Sequence, residues 1–191
     1  MEVANLPELF LPAGRRDPSD HRIFVHHYHS DQPVNKCRVA LRSNLFSFLI
    51  EGHKVVTFRE EEASIGASHF LLLRAGHCLM SEQTSDQHAY RSLLVFFDQT
   101  VLSDFLVKHA IHLPAQPVPE NIRSLAYDPF LRHFVQALCF LRDQPGGIPP
   151  SLLAVKFEER FQLILTEGEL KSEDCLSSFK VINIGEEEKN E

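Results

Sequence analysis

Apolar and polar residues follow two different periods along this chain. From about residue 23 to residue 97 the apolar positions come in short runs of strand length, rich in Leu, Phe and Val, each broken by Gly or by a polar cluster. Ile23 to His29 and Cys37 to Arg42 read as strands. Leu45 to Ile50, the turn Glu51-Gly52-His53 and Lys54 to Phe58 read as a β-hairpin, with Gly52 at the point where positive φ is cheap. The charged run Arg59 to Glu62 predicts a solvated turn or edge, and Ser64 to Gly66 a re-entry into the sheet. His69 to Leu73 is apolar without alternation, which predicts a buried strand. Gly76 then gives a second tight turn, Cys78 to Met80 a return strand, Ser81 to Ala89 a polar loop and Tyr90 to Phe97 the last strand. Short strands punctuated in this way predict a sandwich or a barrel.

Beyond Phe97 the apolar period changes to about 3.6 residues. Asp98 is placed to cap a helix carrying Leu102, Phe105, Leu106 and His109 on one face, and Pro114, Pro117 and Pro119 forbid its continuation. Asp128-Pro129 predicts a second helix start, with Leu131, Phe134, Val135, Leu138 and Leu141 as its stripe. Pro149-Pro150-Ser151 opens a third, with Leu153, Phe157, Phe161 and Ile164. Strands first and helices last predict an α+β fold: a small antiparallel β-barrel followed by a C-terminal helical annex. The expected divisions are an irregular arm (1–20), the barrel (21–97), the annex (98–168) and an acidic tail or interdomain linker (169–191).

Neither long helix is one-sided. Phe140 points away from the stripe of the second helix, and Leu152, Val155 and Leu163 fall opposite that of the third. Apolar groups behind a docked helix are covered either by each other and the tail or by a partner, so these four residues are the candidate dimer or partner interface.

Charge and composition narrow the function. The formal charge is −7, and residues 172–191 carry six acidic against two basic side chains. No segment is strongly basic, which argues against direct contact with nucleic-acid phosphates. The four cysteines are far apart with no Cys-x-x-Cys pair, against a structural zinc site or a disulfide scaffold. No signal peptide and no membrane-length apolar run is found, so a cytoplasmic protein is expected.

Eleven histidines call for a metal test. His27 and His29 would share one face of a strand and are the candidate ligands, joined by His53, His69 or His77. The pattern of metal-binding cupin barrels, however, places a Gly five residues before His-x-His and adds a later Pro-x-Gly-x-x-His stretch. Neither the Gly nor the Pro is present, so no metal and no cofactor is expected. There is no Gly-x-Ser-x-Gly elbow, no Gly-rich phosphate loop, and Cys78 beside His77 would face the opposite side of a strand. Nothing requires a catalytic residue.

Leu49-Ile50-Glu51-Gly52, then Phe70 to Gly76 and Met80-Ser81-Glu82, resemble the amino-terminal cupin-type, jelly-roll regulatory domain of AraC-family transcription regulators, in the branch of type III secretion activators. Val155 to Leu165 is similar to the Lys-x-Glu-Glu helix that ends such domains. The resemblance covers about residues 20–168. It implies a non-enzymatic domain that receives a small-molecule effector or a protein regulator, forms a homodimer through its helices, and reaches DNA only through a further domain that this sequence does not contain. Tyr28, Phe46, Phe48 and Phe70 are the candidate lining of an effector pocket in the barrel, or else simply its core, and the arm 1–20 and the helix pair are the candidate moving parts. A cupin enzyme with a metal site, such as a dioxygenase or isomerase, and a stand-alone ligand-binding protein are the competing readings.

Overall fold

The computed structural model describes residues 3–11, 22–110, 120–143 and 148–166, with side chains described as far as residue 159. Ten strands form two five-stranded sheets that face each other as a sandwich. The first contains β1 (Val3–Leu6), β3 (Val34–Leu41), β8 (Gly76–Gln83), β5 (His53–Phe58) and β6 (Glu61–Gly66), in that spatial order. The second contains β10 (Ile122–Ala126), β7 (His69–Leu73), β4 (Asn44–Glu51), β9 (Tyr90–Phe97) and β2 (Ile23–Ser30). Helices α1 (Gln99–Lys108), α2 (Pro129–Arg142) and α3 (Pro150–Thr166) complete the α+β fold. No helix among the described residues is long and apolar enough to cross a membrane.

From β2 to β9 successive strands change sheet at every connection except the β5–β6 hairpin, whose turn lies at Arg59 and Glu60. The turn at Gly52 is therefore not the predicted hairpin. β4 pairs with β7 and β9, whereas β5 pairs with β6 and β8. Gly52 sits at a corner between sheets with φ +95°, where an added Cβ would fall 2.5 Å from the Gln83 carbonyl oxygen and 2.9 Å from the Tyr90 ring. Only a residue without a side chain permits that approach. Gly76 is likewise a corner, carrying the chain from β7 in one sheet to β8 in the other.

Three further elements differ from expectation. Residues 3–6 of the supposedly irregular arm form β1, which runs parallel to β3. Strand β10 lies between α1 and α2, where only helices were predicted, and pairs with β7. Glu61, expected in a solvated charged run, starts β6 and anchors β10: its carboxylate accepts from Asn121 Nδ2 at 2.7 Å and from the Asn121 backbone N at 2.8 Å.

The helix starts follow the sequence. Asp98 Oδ1 accepts from Val101 N at 2.8 Å and Asp128 Oδ1 from Leu131 N at 2.7 Å, each satisfying an orphan donor of the first turn. Leu102, Phe105, Leu131, Val135, Leu138, Leu153 and Phe157 then press against the outer face of the second sheet, on Phe46, Phe48, Phe70, Leu72, Leu93, Val95 and Phe97. A separate core fills the space between the sheets, built from Val39, Leu45, Val56, Phe58, Ile65, Leu71, Met80, Leu94, Phe96 and their neighbours. The second sheet is thus buried on both faces, which is why β4, β7 and β9 read as near-continuous apolar runs. β5, with one solvent side, alternates.

Candidate effector site

The inter-sheet core is not purely apolar. Lys54 on β5 and Glu82 on β8 point inward, and Lys54 Nζ lies 3.3 Å from Glu82 Oε1 with side chains only 2% and 9% exposed. Burial disfavours the ammonium, but the adjoining Tyr90 and Glu82 outweigh it and the Lys54 pKa is raised. Tyr90 on β9 packs edge-on against Tyr28 at 5.9 Å between ring centroids. Burial drives its phenol up to about 12, against the pull of Lys54, so the hydroxyl is neutral at ordinary pH. Ser47 and Ser92 alternate inward on β4 and β9. The Oγ atoms of both and the Tyr90 Oη are buried without a well-formed hydrogen bond among the described residues. Lys54 and Ser92 adjoin the Tyr90 hydroxyl, but polar groups poorly satisfied in a dry interior are costly, and a polar ligand group is one way to satisfy them better.

Beside the ion pair lies a cavity of about 100 Å³, walled by Tyr28, Val39, Leu45, Met80 and Leu94 and covered by Leu6, Leu9 and Phe10. The Phe10 ring stacks on His26 at 4.0 Å and also meets Tyr28 and Phe96. The amino-terminal segment is thus the roof of the inter-sheet space. Burial, then Arg142 and His27, lower the His26 pKa to about 4, so the stacked imidazole is neutral.

The four expected pocket residues are not brought together. Tyr28 faces the inter-sheet space, whereas Phe46, Phe48 and Phe70 face the helices and pack on one another at 5.2–6.4 Å. The cause is the strand period of two: Phe46, Phe48 and Phe70 all take the outward positions of their strands, and the inward positions belong to Leu45, Ser47, Leu49, Leu71 and Leu73. The residues missed by sequence reasoning are Lys54, Glu82 and Tyr90. Lys54 shares a face with Val56 and Phe58, and Glu82 one with Cys78 and Met80, an alternation that carries the signal. Placing Glu82 in a polar loop hid it, since β8 runs on to Gln83.

His27 and His29 do alternate onto one face of β2, His27 half-buried and His29 exposed. Among the described residues no three metal-ligating side chains converge. Cys78 faces the inter-sheet core, where burial pushes its thiol up to about 12, far from a nucleophile. Of the expected interface residues, Phe140 is 67% and Val155 60% exposed, Leu152 is half-buried, and the side chain of Leu163 lies outside the described residues.

Comparison with known proteins agrees with this architecture. Three structures of ToxT from Vibrio cholerae share the fold: an apo form of a variant from strain SCE256 (TM-score 0.57, 11% identity), a 1.65 Å form (0.54, 9%) and an unsaturated fatty acid-bound wild type (0.52, 10%). They cover 76–78% of this chain, and the chain spans only 55–57% of theirs. No curated protein sequence matches. The sequence model of the ExsA N-terminal regulatory domain matches residues 44–173, well over half the chain, a span that runs from β4 through all three helices. The chain therefore belongs to the ExsA N-terminal regulatory domain family, the cupin-type regulatory domains of AraC-type transcription regulators.

Proposed function

We propose that this chain is the non-enzymatic, effector-receiving and dimerising part of a cytoplasmic AraC-type transcription regulator, with DNA reached through a domain outside this sequence. The observation that carries this reading is the inter-sheet cavity, which has polar groups at one end and the chain's own residues 6–10 as its cover. About 100 Å³ holds only a handful of heavy atoms, so a larger effector enters only if that segment moves. Effector binding and the position of the arm are then a single equilibrium, which is what a switch requires. The ToxT structure with a bound unsaturated fatty acid supports a small-molecule effector for this fold. Here Lys54 is already neutralised by Glu82, so a carboxylate would have to compete with Glu82 for it.

On the opposite side of the helices, Phe140 and Val155 supply exposed apolar area for a homodimer. The test is to fuse the chain to a DNA-binding domain that occupies its operator only when dimerised. The intact chain should restore occupancy, and Phe140→Glu with Val155→Glu should abolish it while circular dichroism stays unchanged. Removing residues 1–11 should change the output without lowering expression. A fusion no better than the bare DNA-binding domain refutes dimerisation, and an output indifferent to the arm refutes the switch.

A further inference from the structure

Outside the inter-sheet space, a groove of about 360 Å³ lies between α2 and the end of the second sheet. Its origin can be followed along the strands. The helix-facing positions of β2 run Ile23, Val25, His27, His29, and those of β9 run Phe97, Val95, Leu93, Arg91, so both stripes change from apolar to basic at the same end of the sheet. There α2 presents Arg132 and Gln136 above an apolar floor of Ile50 and Val135. The groove is therefore apolar inward and cationic at its mouth, and among its described lining residues there is no carboxylate.

The charges are not equivalent. Arg91 is engaged by Glu51, Nε donating to Oε2 at 2.7 Å, and Ser85 holds the other carboxylate oxygen at 2.6 Å. Arg132 instead lies over the Tyr127 ring, 4.9 Å from its centroid, and Tyr127 is fixed by donating its hydroxyl to the Leu49 carbonyl at 3.1 Å. Among the described residues Arg132 makes no ion pair within hydrogen-bonding distance, and a guanidinium on a rigid aromatic platform is matched by one negative charge. A second observation points the same way: His27 Nε2, in the groove wall, is buried without a hydrogen-bond partner.

We infer that this groove is a second ligand site that takes a small organic monocarboxylate with a compact apolar body, its charged end on Arg132 and the His27 imidazole and its body on Ile50 and Val135. Burial, and then Arg142 against the opposing pull of Asp143, hold the His27 pKa below its ordinary value, so the imidazole meets a ligand as a neutral hydrogen-bonding group. A ligand wedged there touches α2 and the sheet together and so bears on how the annex sits.

The inference is independent of the inter-sheet cavity and is tested on the whole chain with 4-phenylbutanoate, its neutral amide and amide-resolved NMR. The carboxylate should shift the resonances of Ile50, Arg91, Arg132 and Gln136. Arg132→Ala should weaken it about tenfold, the range for a hydrogen bond to a charged group. Arg132→Lys should recover part of that loss. Absence of binding, equal binding of the amide, indifference to Arg132→Ala, or shifts confined to residues around Lys54 and Glu82 would each overturn it.

Discussion

The two faces of the second sheet bury two different interiors. Toward the helices the sheet offers Phe46, Phe48, Phe70 and Phe97, and α3 answers with Phe157 at 5.1–6.0 Å from the nearest two of these rings. Toward the other sheet the same strands offer Leu45, Ser47, Leu71, Ser92 and Leu94, facing a buried ion pair. The centre of the helix face is held mainly by apolar area and ring packing, a non-directional attraction that suits a permanent dock, with polar contacts such as Tyr127 Oη to the Leu49 carbonyl at its margin. The inter-sheet face adds groups whose stability depends on partners, so its free energy can be altered by what enters. This contrast separates an apolar dock from an interior that carries charge.

Truncating the helix face should have the largest effect. Phe48→Ala, removing a ring 1% exposed that contacts Phe46, Phe70 and Tyr127, should cost about 4 kcal/mol in urea unfolding. If it costs under about 1 kcal/mol, as a surface change would, the dry face is not the scaffold.

The polar face should break differently. Glu82→Ala leaves the Lys54 ammonium buried and alone, and should cost about 3 kcal/mol. Lys54→Met combined with Glu82→Leu should recover most of that loss, because removing both charges removes the desolvation penalty. A double variant as unstable as the single one would show that the charges are not what distinguishes this face.

The faces should also part with pH. Lys54 and Tyr90 both hold their protons more tightly when folded than when unfolded. Their contribution is therefore complete below the ordinary Tyr and Lys values and is lost as pH rises past about 10 toward 12. His26 has the opposite sign: its folded pKa of about 4 lies below the ordinary 6.5, so its contribution is present above 6.5 and lost as pH falls toward 4. Thermal unfolding from pH 7 to 4.5 should show a falling Tm, flattened in His26→Leu. An unchanged slope in that variant would remove His26 from the account.

The smallest effect is expected at the helix cap. Asp128→Ala frees one backbone donor at the start of α2 and should cost about 1 kcal/mol by the same unfolding measurement.

Much of this was legible in the sequence, for a local reason. Most of the strands, the caps Asp98 and Asp128, the apolar stripe of α2 and the Leu153 and Phe157 positions of α3 depend on neighbours within a few residues, and periodicity records them, while the side chains of Phe161 and Ile164 lie outside the described residues. Even the doubly buried β7 announced itself by lacking alternation. The inter-sheet cavity was not legible, because Phe46, Phe48 and Phe70 look like a lining by type, and type does not say which face of a sheet a strand turns inward. The Gly52 corner was misread as a hairpin for a related reason: a turn sequence fixes the local φ but not which strand the chain pairs with afterwards.

By itself, then, the sequence determined strands β2 to β9 of the β-sandwich, the helices that follow and the family to which the chain belongs. The tertiary structure decided which face of each strand is interior. That choice brought Lys54 to Glu82, set Phe10 on His26 and left Arg132 without an acid in its groove. The physical reason is range. Secondary structure answers to local hydrogen bonding and hydrophobic period, whereas the partners of a buried charge come from strands far apart in sequence, and nothing local fixes their meeting.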